Sequence, residues 1–393
     1  MAKLVLGTNK STYAIPASVR NVTPEYYTEF VVDSNGTIDY SKNTKPMDFS
    51  GVKEAPIYRL SYAYYNSTYD NLGYNLDLSS LTTIGNYGLY YTFYGCNFVR
   101  GALNFDNLNS IGQYGLGSAF YSCPNINSVK FSKSDMSNGQ YSLSYAFAYC
   151  SALSTVDMSK VITVGSNNYI FNYTFRGCTN LQTVDLSSLV YIYSYTFYYT
   201  FLDCTSLTSV DLSGLVTLYT SGRQQLYGIF SGCTSLTSFV FNSLARLTRN
   251  TLSYAFQNCT SLTSVSFPAL TTNSFGSYTN QFSSMLVGCS NVTVHFPSNL
   301  EAVIGSWTDV INGFGGTGTT VLYDLPATIE IIGANNTTYL RQPKKDTSTA
   351  LAWYYNSSTT VYTSGTSNPS VGDTIYSDAA CTTSLTTVNS IIS

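Results

Sequence analysis

The strongest constraint on this chain is a unit of 26 to 30 residues that recurs in register through its middle. Eight copies align on a cysteine. Phenylalanine or leucine lies three residues before each cysteine, and leucine, valine or isoleucine lies three residues after it, as Phe201 and Leu207 lie around Cys204. Self-similarity at such a period is typical of a solenoid. The aligned cysteines are Cys96, Cys123, Cys150, Cys178, Cys204, Cys233, Cys259 and Cys289.

Each unit also contains a pair of apolar residues with period two, such as Val210 and Leu212, followed by turn residues and another apolar residue. Period two predicts a short strand with both apolar side chains on one face. One coil cannot bury that face alone, so coils must stack to make a continuous core. We therefore predict a β-rich solenoid of about 8–9 coils with a parallel strand ladder, in which Leu207 points inward and Thr208 outward.

The frame L-x-x-V-x-L-x-x-L of residues 207–215, with the preceding F-x-x-C, resembles the BspA-like (Treponema-type) leucine-rich repeat. The resemblance extends over roughly residues 60–300. It implies a leucine-rich-repeat array and a use as a surface adhesin or interaction protein, which is an analogy at the level of the fold. The chain departs from the family in its longer coils, which we interpret as carrying tyrosine-rich inserts such as Val190–Phe201.

The eight aligned cysteines have two interpretations. As a structural core ladder, they are small apolar residues stacked coil on coil. As disulfides, cysteines on adjacent coils would be close enough to bond, at about 5 Å between Cα atoms. Folding in the cytosol favours buried thiols. A zinc site is disfavoured, because the sequence has no C-x-x-C and a single histidine, His295, which we interpret as structural.

Four segments follow from where the repeat begins and ends. Residues 1–58 carry no repeat and are predicted to be an N-terminal attachment or capping segment. Residues 59–297 are the predicted solenoid. The rhythm then ends, and residues 298–324 are predicted to form a C-terminal capping helix and a linker, with a flexible glycine-rich link at 313–320. Residues 325–393 show alternating strand patterns that predict a small β domain.

Composition argues against several classes of function. Charged residues make up 10 % of the chain and the formal net charge is −3, so we expect no nucleic-acid partner and no anionic-lipid surface. No apolar run is long enough to span a membrane. With one histidine and scattered acids, we predict no catalytic cluster, no cofactor, no metal and no enzyme. Asp157, Asp185 and Asp211 recur in register as solvated strand residues, with calcium binding as the remote alternative.

Tyrosine is the distinctive residue of this chain, with 36 copies. Tyrosine gives large, rigid contact area at recognition surfaces, but it is also simply a good strand former. Tyrosines five residues before the cysteine, such as Tyr145, are interpreted as packing residues. We predict that the inserts carry the recognition surface. Its candidate residues are Tyr191, Tyr193, Tyr195, Tyr198, Tyr219 and Tyr227.

The apolar run at the start of the chain, "MAKLVLGTNK", is shorter than the apolar segment of a signal peptide. We therefore expect folding in the host cytoplasm. These features favour a phage virion surface component, namely a fibre, a receptor-binding protein or a capsid decoration. Its expected partners are a host-surface glycan or protein and, through the N-terminal segment, other virion proteins; a homo-oligomer is left open. The alternatives are an extracellular bacterial cell-surface adhesin of the BspA-like type and a passive structural virion protein.

Overall fold

The computed structural model describes most of the repeat region and parts of the C-terminal segment. The described residues are 52–55, 60–66, 76–132, 137–162, 168–215, 217–218, 223–271, 280–304, 313–325, 330–333, 338–341, 350–355, 359–364, 371–376, 381–382 and 384–392. Nearly all of the predicted N-terminal attachment segment, and Tyr219, lie outside them. The chain forms two compact units: the first holds the residues up to Asp185 with Tyr195–Val210 and Ile229–Thr234, and the second holds the rest.

The first unit contains two sheets of parallel strands. One sheet has short strands in the order β1 (Glu54–Ala55), β2 (Thr83–Ile84), β4 (Ser110–Ile111) and β6 (Ser137–Asn138). The other sheet has the order β10 (Ser209–Asp211, in this unit up to Val210), β8 (Thr183–Asp185), β7 (Thr155–Asp157), β5 (Asn125–Phe131) and β3 (Arg100–Phe105). The first strand, β1, falls inside the predicted attachment segment, so the parallel stack begins by residue 54.

The register of the longer sheet places equivalent residues of successive coils side by side. Val129 pairs with Val156, and Val156 with Val184, and all three side chains are buried. Thr155 and Thr183, one residue earlier on their strands, pair with each other and are exposed. The alternation with period two therefore puts both apolar residues of each pair, such as Val184 and Leu186, into the core.

The second unit also contains parallel strands. β9 (Tyr191–Ile192) pairs with β11 (Thr217–Leu218). A four-stranded sheet has the order β12 (Ser238–Val240), β13 (Ser264–Ser266), β14 (Thr293–Pro297) and β15 (Thr320–Leu325). The parallel strands of the two units confirm the predicted fold class, a β-rich solenoid with a parallel strand ladder, and the described residues contain almost no helix.

The last parallel strand differs from the sequence-based expectation. The sequence predicts that the rhythm ends after Phe296 and that residues 313–320 form a flexible link. Instead, β15 pairs in parallel with β14, Ser290 forms a bridge with Thr317, and Phe314 is buried. This coil lacks the F-x-x-C frame, and its glycines were interpreted as a flexible link.

The predicted capping helix is short in the described residues. A 3-10 turn at Ser298–Leu300 continues into α1 (Glu301–Ile304), and Asn299 lies inside the turn rather than at its cap, which is Pro297. Residues 305–312, the remainder of the predicted helix, lie outside the described part of the chain. No helix in the described ranges has the length and apolar character needed to cross a membrane.

The C-terminal strands close into an antiparallel barrel. They are β16 (Glu330–Gly333), β17 (Thr338–Arg341), β18 (Ala350–Tyr355), β19 (Thr359–Ser364), β20 (Thr374–Tyr376) and β21 (Ser384–Ile392). Each of these six described strands pairs with a neighbour on both sides, because β21 pairs back onto β16. The predicted boundary of this domain at residue 325 remains a prediction.

Candidate functional site

A ribbon of consecutive turns precedes the cysteine of each coil in the first unit; the example is Gly85–Cys96, and we call each such segment the turn ribbon. Its backbone N–H groups alternate between two kinds of acceptor. The Tyr90 N–H donates within the ribbon to the Tyr87 carbonyl, at 3.3 Å, whereas the Tyr91 N–H donates to the Gly117 carbonyl of the next coil, at 3.0 Å. The ribbon is thus hydrogen-bonded both within itself and to its neighbour.

Every fourth residue of the turn ribbon has a left-handed backbone. In the first ribbon these residues are Tyr87, Tyr91 and Gly95, with φ of 55°, 55° and 71°. Positive φ is uncommon outside glycine and costs roughly 1–2 kcal/mol per residue. The repeated hydrogen bonds between coils offset that cost, and each conformation sets the direction of a side chain.

The left-handed position nine residues before the cysteine carries a column of stacked tyrosines. Successive ring centroids are 5.1, 4.8, 4.7 and 4.4 Å apart, with planes within 22° of each other. All five side chains are half-buried. The members of this tyrosine column are Tyr87, Tyr114, Tyr141, Tyr169 and Tyr195.

More tyrosines on the same ribbons widen the column into a surface. Tyr90 packs edge-on against Tyr87 and Tyr114 of the column and against Tyr91. Tyr94 stacks on Tyr121 at 4.5 Å. We define the tyrosine surface as the column together with Tyr62, Tyr65, Tyr90, Tyr91, Tyr94, Tyr121, Tyr145, Tyr149, Tyr173, Tyr198 and Tyr199.

Two of the predicted recognition residues belong to this surface, but not as parts of an insert. Tyr195 ends the column, and Tyr198 packs edge-on against Tyr199 at 5.0 Å. The interpretation of this stretch as an insert is wrong, because the coil from Cys178 to Cys204 is one of the two shortest and its tyrosines are ordinary ribbon positions. The recognition role itself remains a prediction.

The other predicted residues lie in the second unit. Tyr191 lies on β9 and packs edge-on against Tyr193, with ring centroids 4.9 Å apart. Tyr227 lies 5.3 Å from Tyr254. Sequence reasoning missed most of the tyrosine surface, although its register was visible: tyrosine recurs nine residues before the cysteine in five successive coils.

Burial raises the pKa of two hydroxyls of the tyrosine surface. Burial raises the pKa of Tyr169 to about 12, and the neighbouring Tyr195 and Tyr141 add to the rise. Burial, with Tyr94 and Tyr149 as neighbours, likewise raises the pKa of Tyr121 to about 12. Like tyrosines of ordinary pKa, both hydroxyls are neutral at physiological pH and can donate and accept hydrogen bonds.

These shifts predict a loss of stability at alkaline pH. In the unfolded chain, tyrosines ionise at their ordinary pKa of 10, whereas Tyr121 and Tyr169 ionise in the fold only at about 12. The unfolded state therefore releases protons first, and the free energy of unfolding should fall as the pH rises from 10 to 12. Chemical denaturation in steps of pH, with tyrosinate absorbance recorded in parallel, measures this; a flat stability profile would contradict it.

The eight aligned cysteines are buried core residues. The structure describes all nine as thiols, and the eight aligned ones are buried. The Cys150 thiol donates to the Phe120 carbonyl of the preceding coil at 3.1 Å, and the Cys178 thiol to the Phe147 carbonyl at 3.1 Å. The register thus requires a residue that is both small and able to donate a hydrogen bond into a dry core.

The recurrent aspartates support turns. Asp157 accepts hydrogen bonds from the backbone N–H and the hydroxyl of Ser159, at 3.0 and 2.7 Å. Burial acts to raise the pKa of Asp157, but these hydrogen bonds, with Lys130 and Lys160 nearby, hold it below its ordinary value. Asp211 accepts a bond from the Ser213 N–H in the same way. Within the described ranges, no group of three or more His, Cys, Asp or Glu residues could hold a metal ion.

The single histidine lies on strand β14. Nδ1 of His295 on β14 lies 2.9 Å from both carboxylate oxygens of Asp324 on β15. This pair links two neighbouring strands.

The comparisons with known proteins identify the repeat. The family described as BspA type leucine-rich repeat region matches in 6 copies, over residues 60–202 and 144–306. The two matches together span more than half of the chain. A comparison with curated proteins finds no match.

Proposed function

Because the chain belongs to the BspA-type leucine-rich repeat family, we propose that it is a non-enzymatic recognition protein whose tyrosine surface binds a host-surface glycan or protein. A surface or protein-interaction role of the adhesin type is what the family supports. The ligand and the site are argued from the residues of this chain.

The observation that carries the proposal is the continuity of the tyrosine surface. Its rings are held by stacking at 4.4–5.1 Å along the column and by a hydrogen-bonded backbone. Side chains fixed before binding lose little entropy when a ligand arrives. Tyrosine is also among the residues that most often dominate binding energy at interfaces.

A second column in the same coils separates recognition from packing. Phenylalanines three residues before the cysteine stack in the same way, for example Phe120 on Phe147 at 5.5 Å, and they are fully buried. Phenylalanine is therefore sufficient where a ring only has to pack between coils. The half-buried column instead carries tyrosine, whose ring packs while its hydroxyl can meet water or a ligand.

We place the protein on the surface of a phage virion, made in the host cytoplasm and attached to other virion proteins through its N-terminal segment. Eight buried thiols suit folding in a reducing compartment. Neighbouring genes for capsid or portal proteins, and detection of the chain in purified virions, would support this placement. Detection on bacterial cell walls instead would favour a cell-surface adhesin.

Removal of hydroxyls from the column should weaken binding without unfolding the protein. The triple variant Tyr114→Phe, Tyr141→Phe and Tyr169→Phe keeps the rings and their stacking. If each lost hydrogen bond contributes about 0.5–1.5 kcal/mol, binding to host cells should weaken by roughly tenfold or more. The measurement is a binding isotherm of the purified full chain on host cells and envelope fractions.

The matched control is Tyr254→Phe, which removes a hydroxyl in the second unit, where Tyr254 packs on another tyrosine. It should leave the isotherm unchanged. Absence of binding by the unaltered chain would contradict the proposal. So would a triple variant, or a Tyr195→Ala variant, that binds as tightly as the unaltered chain. The chain would then be a passive structural part of its assembly.

A further inference from the structure

Among the residues that the structure describes, one guanidinium lies over rings of the tyrosine surface. The Cζ atom of Arg176 is 5.5 Å from the ring centroid of Tyr149 and 5.6 Å from that of Tyr173. Tyr145 stacks on Tyr173 at 4.8 Å, and Tyr121 packs on Tyr149 at 5.2 Å. We call Arg176 and these four tyrosines the arginine cage.

The charge of Arg176 is only partly compensated by its surroundings. Its guanidinium has five N–H donors. The charge of Arg176 opposes the rise that burial causes in the pKa of the Tyr145 hydroxyl. The Arg176 Nε–H is buried and has no acceptor. Among the residues that the structure describes, no carboxylate forms an ion pair with Arg176.

A guanidinium that is half-buried without a carboxylate partner has lost part of its hydration, which destabilises the folded protein. The faces of Tyr149 and Tyr173 attract the cation but cannot accept in-plane hydrogen bonds. The side chain is half-buried and its Nε–H is not accessible, so a ligand oxyanion would bond the terminal NH2 groups of the guanidinium. A planar guanidinium meets a carboxylate with two parallel hydrogen bonds, which is its best-matched partner.

We propose that the arginine cage is a subsite for the carboxylate of an acidic sugar within the host-surface ligand. This inference rests on the proposed recognition function and names the chemical class of its ligand. The carboxylate receives hydrogen bonds from Arg176, and the surrounding tyrosine hydroxyls exchange hydrogen bonds with the sugar hydroxyls.

An acidic sugar fits this site better than an acidic peptide. A peptide with several carboxylates is held by several cations, and this chain has 18 basic residues in 393 and a net charge of −3. The arginine cage supplies one cation and four tyrosine hydroxyls. That ratio matches a ligand with one carboxylate and many hydroxyls.

The test compares acidic and neutral glycans on the full chain. The probes are oligosaccharides that end in N-acetylneuraminic acid or glucuronic acid, each beside a matched neutral oligosaccharide, and poly-glutamate as the peptide probe. Arg176→Gln should weaken binding of the acidic probes by at least about tenfold and leave the neutral ones unchanged. Arg176→Lys keeps the charge without the planar fork, and it should restore part of the affinity.

Arg249→Gln is the matched control, because Arg249 is exposed and lies in the second unit; it should leave binding of the acidic probes unaltered. Thermal unfolding of each variant shows whether it is folded. Equal binding of acidic probes by the unaltered chain and Arg176→Gln, or a preference for poly-glutamate, would overturn the inference. If the chain binds host cells but no acidic sugar, this inference fails alone; if it binds no host surface, the proposed function fails as well.

Discussion

Leu207→Ala is expected to lower the free energy of unfolding by about 2–5 kcal/mol, because it removes a large side chain from a close-packed core. Leu207 is fully buried, and it follows Cys204 by three residues, the position that is apolar in every coil. The cavity cannot be filled by neighbouring coils, since backbone hydrogen bonds fix their spacing, as between the Thr208 N–H and the Gln182 carbonyl at 3.0 Å.

The adjacent residue provides the matched control. Thr208 is exposed, and its hydroxyl donates to the Gln182 carbonyl at 3.1 Å in contact with water. Thr208→Ala should therefore cost well under about 1 kcal/mol. Urea denaturation of both variants measures the two values. Equal losses would mean that the assignment of inward and outward residues is wrong by one position.

The eight aligned thiols should react with a thiol reagent only when the protein unfolds. Only the thiolate reacts, and burial raises the pKa of Cys150 to about 12 and those of Cys123, Cys178 and Cys204 well above the ordinary value. With a stability of about 5 kcal/mol or more, labelling through unfolding is slowed by at least about a thousandfold. Stopped labelling followed by mass spectrometry measures the rate at each cysteine.

Cys381 is the internal control for that experiment, since it is the one cysteine that is not buried. It should label rapidly in the native protein, and the other eight should label together on addition of denaturant. Rapid native labelling of most of the eight, or recovery of disulfide-linked peptides, would contradict the core assignment.

The sequence was sufficient for the core of each coil. The phenylalanine, the cysteine and the three apolar positions after it recur because each must fill the same buried place, so their spacing predicts both strand and stack. The side on which Thr155 and Thr183 lie follows from the same period of two.

The left-handed backbone of the turn ribbon could not be predicted in this way. Tyr87, Tyr114 and Tyr141 have φ of 55°, 51° and 57°, and tyrosine gives no local signal for a left-handed backbone, as glycine or asparagine would. The conformation is imposed by hydrogen bonds to the next coil, which are long-range. The recurrence of tyrosine was visible in the sequence but its stacking was not, so only Tyr195 and Tyr198 of the tyrosine surface were predicted as recognition residues.

The turn ribbon also decides where evolution can alter a coil's length. The coil from Cys204 to Cys233 is three residues longer than the one from Cys178 to Cys204. From the closing leucine to the first ribbon tyrosine or its equivalent, the longer coil takes nine residues (Leu215 to Gln224) and the shorter takes six (Leu189 to Tyr195), so the whole difference falls there. An insertion inside the ribbon would break its four-residue phase and its bonds to both neighbours. Insertions and deletions are therefore confined to one segment of each coil, between the closing leucine and the turn ribbon. The strands and turn ribbons on either side of that segment keep their hydrogen bonds.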